Sequence, residues 1–184
     1  FIRNAHGKAR QVVLVLRHQS GVLRRLAADL AAFFTERLSG VPNGRGGVFK
    51  AAMHSARQFI DQGTLTVATP DGRLSGALLS KNASPVDGAD INGATALILS
   101  ALALTPSQFH ESFALDLLLH PSAVAGDEGL CAMKGLLKTY MHGGGMALQC
   151  NIFNTEMLRD AQKHPEKYRN LQVRVCGWNV LWND

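Results

Sequence analysis

Near the C-terminus the run "LQVRVCGWNVLWND", Leu171 to Asp184, places a glycine, Gly177, among residues that favour extended structure. Val173, Val175, Val180 and the two tryptophans suit a strand, whereas glycine gives up side-chain packing and costs backbone entropy. Taken alone, Gly177 reads as a bulge or a close backbone contact. The three cysteines, Cys131, Cys150 and Cys176, are odd in number and contain no CxxC pair, which suggests neither a disulfide framework nor a zinc site. Cys131 on an expected helix and Cys150 in an expected strand read as buried small hydrophobes. The seven histidines show no HxxxH spacing, so no metal site is expected. His142, ahead of three glycines, reads as the cation at a helix C-terminus. "GRGG" near Arg45 lacks the Lys-Ser/Thr of a phosphate loop. In "PDGR", Asp71 and Arg73 either orient a substrate or shape a turn whose arginine pairs locally.

The elements that would position these residues belong to an ordinary globular composition. Of 184 residues, 46% are hydrophobic and 18% charged, and mean hydropathy is near zero. That excludes disorder and membrane spans, because the longest apolar runs, "VVLVL" and "ATALILSALAL", are too short to cross a bilayer. The formal charge of +5 is spread among acids without interleaved aromatics, so nucleic-acid binding is not indicated. Cysteine usage points to a reducing cytoplasm. Phe1 is not a methionine and "NVLWND" stops in mid-pattern, so both ends are expected to be cut.

Along the chain, "GVLRRLAADLAAFFTERL" predicts an amphipathic helix with Leu23, Leu26, Leu30, Phe33 and Phe34 on its apolar face. "GGVFKAAMHSARQFIDQG" predicts a second helix closed near Gly63, and "TLTVATPDGRLSG" a short extended stretch running into a turn. Leu79 to Gly93, "LSKNASPVDGADING", predicts a long ordered loop carrying Ser84 and Asp87. After it come a buried helix in "ATALILSALAL", a buried strand in "FALDLLLHPSAV" and a helix in "DEGLCAMKGLLKTYMHGGG". A strand in "MALQCNIFN" follows, then a helix over "EMLRDAQKHPEKY" capped by Asn154 or Thr155, and extended structure at the end. Helices alternating with apolar strands predict an α/β fold with buried strands.

The order of parts in "GGGMALQCNIFNTEMLRDAQKHPEKYRNLQVRVCGWNV" resembles the C-terminal glycyl radical domain of the pyruvate formate-lyase family. "ATPDGR" at Ala68 to Arg73 and "SPVDGAD-x-x-G" at Ser84 to Gly93 resemble two further family segments, so the likeness runs from about Gly46 to Asp184. The resemblance implies the C-terminal part of a ten-stranded α/β barrel with its glycine loop, truncated at both ends. It implies three regions: a divergent segment at 1–22, barrel at 23–140 and glycine radical domain at 141–184. The likeness also gives Gly177 a chemical role, storage of a backbone radical. A radical on an α-carbon is flat and spreads its spin over the flanking amides, and only glycine has no Cβ to crowd that plane.

Arg174, Val175, Cys176 and Trp178 would be the glycine-loop neighbours, and Asp71, Arg73, Ser84 and Asp87 would lie on loops at the barrel mouth. Cys176 and Trp178 depart from the usual small residue and Tyr or Phe at those places. The family further implies a separate activating enzyme using S-adenosylmethionine and an iron-sulfur cluster, a small organic substrate, a homodimer as the full-length enzyme and no bound cofactor. The family's thiyl cysteine lies far upstream, so none of the three cysteines here takes that place. The expected chemistry is that of a lyase, dehydratase, decarboxylase or hydrocarbon-adding enzyme. Formate acetyltransferase and a non-catalytic glycyl radical spare part are the alternatives.

Overall fold

The computed structural model describes residues 21–69, 73–86, 88–175 and 178–182. The first twenty residues therefore lie outside it, as do Asp71, Asp87, Cys176 and Gly177, and the side chains of Leu23, Val175 and Trp178 are not described. A three-stranded parallel sheet runs in the order β1 (Ala52–Met53), β2 (Ser112–Leu119), β3 (Ala147–Ile152). Helices α1 (Gly21–Leu38), α2 (Gln58–Leu65), α3 (Gly93–Leu102), α4 (Gly126–His142) and α5 (Thr155–Lys163) surround or follow it. A separate antiparallel pair, β4 (Gln172–Val175) and β5 (Trp178–Leu181), ends the described chain.

β2 forms the centre because its sequence is apolar on nearly every position, as a strand covered on both faces requires. Phe113, Leu115, Leu117 and Leu119 are buried and join Leu97, Ile98 and Ala101 of α3 and Tyr140 of α4 in one core. The Phe109 and Phe113 rings meet at 5.3 Å between centroids with a tilt of 54°, a geometry aromatic pairs favour. Tyr140 ties the layers together: its hydroxyl hydrogen is shared between the carbonyls of Phe113, at 3.2 Å, and Ala147, at 3.1 Å. Burial, with the Asp116 charge adding to it, holds this phenol well above its ordinary range, so it stays a donor.

The three glycines after α4 exist to let the chain turn tightly against this core. A Cβ on Gly145 would meet the Tyr140 ring at 2.4 Å, one on Gly143 would meet Leu102 at 2.6 Å, and Gly144 has φ +89°. Asn154 caps α5 as expected, its side-chain oxygen accepting from the amides of Glu156 at 2.8 Å and Met157 at 3.4 Å. The helix stops at Lys163, and the "PEKY" segment forms a separate 3-10 turn, Pro165–Tyr168, because Pro165 has no amide to continue the ladder.

Several expectations are corrected. The helix expected over "GGVFKAAMHSARQFIDQG" is only α2; Ala52–Met53 instead pairs with Ser112 and Phe113 of β2, and Glu111 donates its amide to the carbonyl of the fully buried Ala51. Completing the edge of β2 outweighs local helix propensity here. The helix closes near Gly63 as expected, at Leu65 with the Thr66 amide on the Gly63 carbonyl, and Gly63 is buried where a Cβ would come within 2.8 Å of the Ala77 carbonyl. The chain leaves α2 at Thr66 with extended backbone (φ −84°, ψ 124°), as expected, and Thr66 to Thr69 join no sheet.

On α1 the expected apolar face is not the one that packs on the described residues. Ala31 and Thr35 are buried, Thr35 sharing its hydroxyl with the carbonyls of Ala32 and the Gln108 side chain at 2.9 and 3.1 Å, while Leu26 is 56% and Leu30 66% exposed. Leu99 of the all-apolar α3 is also exposed, as is Cys131, which is therefore no buried hydrophobe. Cys150 is half-buried, and burial pushes its thiol up, away from a reactive thiolate.

α4 offers an internal comparison of two glycines. A Cβ on buried Gly129 would stand 2.3 Å from the Val124 carbonyl carbon, whereas one on exposed Gly135 would meet nothing within 4 Å. Gly129→Ala should destabilise the α4 region by about 1–3 kcal/mol through forced backbone movement. Gly135→Ala should stabilise it by about 0.5–1 kcal/mol through reduced chain entropy. Amide hydrogen exchange along α4 in the complete gene product, faster for the first variant and slower for the second, checks both.

Candidate radical and cleft site

Alternation along β2 and β3 puts Ala114, Asp116 and Leu118 on the same face as their register partners Ala147, Gln149 and Asn151. Leu115 and Leu117 take the opposite, helix-covered face with Leu148 and Cys150. A carboxylate in the middle of a buried strand is costly unless it is hydrogen-bonded, and Asp116 is only 6% exposed. Its Oδ2 accepts from the Asn82 side-chain amide at 2.6 Å and from the Ser84 hydroxyl at 3.5 Å.

Two residues of the loop, Ala83 and Ser84, also satisfy the backbone of β2. Ala83 donates its amide to the Ala114 carbonyl at 2.8 Å, and the Asp116 amide donates to Ser84 Oγ at 2.8 Å. Asn82, at φ +52°, is held in turn by Ser55: its Oδ1 accepts from the Ser55 amide at 3.0 Å and its own amide donates to Ser55 Oγ at 2.8 Å. Asparagine tolerates this left-handed backbone better than most residues. Among its described residues the loop has further backbone bonds, from Ala89 to Val86 and from Gly93 to Asp90.

Beside this network lies a cleft of about 250 Å³, lined by Lys81, Ser84, Asp90 and Asn151 among apolar residues that include Leu97 and Leu118. Its mixture of a few polar groups on an apolar wall suits a small organic molecule. Of the barrel-mouth residues expected from sequence, Ser84 lines the cleft and Asp71 and Asp87 lie outside the described residues. Arg73 is 7% exposed and turns to its own loop. Its guanidinium donates to the carbonyls of Thr66 and Val67, each at 3.1 Å, of Gly63 at 2.6 Å, and of Ala77. It therefore ties the end of α2 to the segment at Ala77.

The run around Gly177, expected as one extended stretch, is two strands. β4 and β5 pair with Gln172 opposite Leu181, Val173 opposite Val180, Arg174 opposite Asn179 and Val175 opposite Trp178, so positions 176 and 177 fall between the strands. Side chains reinforce the pairing: the Arg174 guanidinium donates to Asn179 Oδ1 at 3.3 Å and the Asn179 amide to Gln172 Oε1 at 3.4 Å. The hairpin is joined to the Asp116 face of the sheet by Gln149, whose amide donates to the Arg174 carbonyl at 3.2 Å.

Reasoning from sequence missed Asn82, Asp116, Gln149 and Asn151. Asp116 carried a readable signal, a lone acid inside "FALDLLL", but its partners are more than thirty residues away and leave no local trace. Among the described residues no cluster of His, Cys, Asp or Glu could hold a metal ion, and no helix is long and apolar enough to cross a membrane.

Asn82→Ala should cost about 1–3 kcal/mol, because it leaves a buried carboxylate without its shortest donor. Asn82→Asp should cost more, since it sets two carboxylates side by side. Limited proteolysis of the complete gene product checks both, with new cleavage expected between residues 79 and 92.

Comparison with known proteins agrees with this geometry. The family model described as "Glycine radical" matches residues 79–183, more than half of the chain and the whole span from the Asn82 loop through the hairpin. Indoleacetate decarboxylase of Tractidigestivibacter scatoligenes is 45% identical over 125 residues, 66% of this chain and 14% of that protein. The 4-hydroxyphenylacetate decarboxylase glycyl radical subunit of Clostridioides difficile strain CD196 is 41% identical over 122 residues, 66% of this chain and 13% of that protein.

Among solved structures, one described by 1,2-propanediol dehydration in Roseburia inulinivorans superposes with a TM-score of 0.81 at 35% identity, covering 88% of this chain and 19% of that one. The chain thus spans about a seventh to a fifth of the length of these relatives. Its α/β fold is that of part of a glycyl radical enzyme, and the chain belongs to the glycyl radical family of pyruvate formate-lyase and its relatives.

Proposed function

We propose that this chain is the radical-storing portion of a glycyl radical enzyme, with Gly177 as the site of the spin. The observation that carries the reading is the hairpin: two strands in register bound positions 176 and 177, and Gly177 is the one residue of that pair without a Cβ. Loss of an α-hydrogen leaves a planar carbon that a side chain would twist. Arg174, Val175, Cys176 and Trp178 are its sequence neighbours in the glycine loop. A separate activating enzyme, using S-adenosylmethionine and an iron-sulfur cluster, removes the hydrogen atom.

As the family resemblance implies, a cysteine outside this chain then passes the radical to substrate. Ser84, Asp71, Arg73 and Asp87 belong to the loops at the barrel mouth, with Ser84 on the wall of the cleft and Arg73 holding its loop in shape. Likeness that reaches back over the sheet and helices, well beyond the hairpin, favours an enzyme portion over a lone spare-part module. Higher identity to the two decarboxylases than to the diol-dehydrating neighbour favours decarboxylation of an arylacetate over dehydration of a diol. The full-length enzyme works as a homodimer, without oxygen, in the cytoplasm.

Anaerobic treatment of the complete gene product with an activating enzyme and S-adenosylmethionine should give an organic radical signal split mainly by one α-hydrogen, and deuterated glycine should collapse that splitting. Air should then cut the backbone at Gly177. Gly177→Ala should lose both the signal and the cut, and the activated protein should release carbon dioxide from indoleacetate or 4-hydroxyphenylacetate. A signal and a cut that persist in Gly177→Ala would place the spin elsewhere.

A further inference from the structure

The hydrogen-bonding pattern of the hairpin leaves one carbonyl turned outward at a decisive place. The Trp182 amide donates to the Leu171 carbonyl at 2.8 Å, which marks that pair as hydrogen-bonded. Pairs alternate along an antiparallel ladder, so Val173 with Val180 and Val175 with Trp178 are of the same kind, while Arg174 with Asn179 is not. The Arg174 carbonyl therefore points away from β5 and is open to a partner from outside the hairpin. Gln149 supplies it, at 3.2 Å, from the Asp116 face of β3.

A carbonyl only accepts, so the Gln149 side chain must present its nitrogen there. The same nitrogen donates to Asn151 Oδ1 at 3.3 Å, and Asn151 lines the cleft. One carboxamide thus stands between the wall of the cleft and the strand that leads into Gly177 three residues later.

We propose that Gln149 is a positioning residue for the glycine hairpin, docking β4 on the parallel sheet through the Arg174 carbonyl and linking that dock to the cleft through Asn151. Its consequence for the stored radical rests on the reading of Gly177 given above; the docking itself does not. Without the donor, β4 separates from β3 more often, and the segment carrying Gly177 meets water and oxygen more often with it.

The test uses the complete gene product with Gln149→Glu, which keeps size and shape but removes the donor, and Gln149→Lys, which keeps a donor on a side chain of similar reach. Hydrogen exchange of the hairpin amides from Leu171 to Trp182 should rise roughly fivefold in Gln149→Glu, the factor expected for losing one ordinary hydrogen bond. It should stay within about twofold of the unchanged protein in Gln149→Lys, and exchange in β2 should not move in either. In the activated protein, the half-life of the radical in air should shorten in Gln149→Glu alone.

A packing role would treat the two variants alike, so equal exchange in both overturns the proposal, as does exchange in Gln149→Glu equal to that of the unchanged protein. The two readings fail separately. If Gly177→Ala keeps the radical signal while Gln149→Glu loosens the hairpin, the spin assignment falls and the docking role stands. If Gly177→Ala loses the signal while the hairpin of Gln149→Glu exchanges normally, the reverse holds.

Discussion

The carboxylate of Asp116 is withdrawn from water in the centre of the strand on which the core is built, and the structure around it follows from satisfying that charge. An unpartnered buried carboxylate would be among the most costly groups in the molecule. Asn82 and Ser84 meet it, and in doing so bring a long polar loop back across the edge of β2, where β1 has already ended. Ser55, Asn82, Ser84 and Asp116 form one network, so the loop cannot leave without exposing the carboxylate to an apolar surrounding. The cleft is a result of that closure, for two of the four residues of the network line it.

The apolar surface tells a second part of the story. Leu26 and Leu30 on α1, Leu130 and Met141 on α4, and Leu118 on the sheet are all exposed, although their spacing is that of packed faces. In relatives roughly five times longer, the rest of the chain is available to cover such faces. Ala31 and Thr35 show the complementary case. They pack on the described core because small side chains let α1 approach the turn at Pro106–Gln108 closely, where Thr35 meets Gln108.

The hairpin is built differently from the sheet. Its described internal contacts are ladder bonds and polar side chains, Arg174, Asn179 and Gln172. A short two-stranded ribbon of this kind is marginal by itself. Its attachment to β3 by Gln149 is therefore more than an incidental surface contact, and the Asp116 face of the sheet is where the loop, the cleft and the hairpin meet.

By itself the sequence determined the family, the order of elements from α3 through α5 and the cap at Asn154. These rest on local signals, namely runs of apolar residues, cap residues next to the amides they bind, and a long ordered motif. Only the tertiary structure decided which face of α1 packs on the described core, that Ala52–Met53 joins a strand instead of extending a helix, and that Arg73 serves its own loop. It also decided that Asp116, Asn82 and Gln149 matter, since each acts on a residue more than twenty positions away. The physical reason is that the stabilisation of a buried polar group depends on which partners the fold brings within about 3 Å, and that distance is not written in the spacing of residues along a chain.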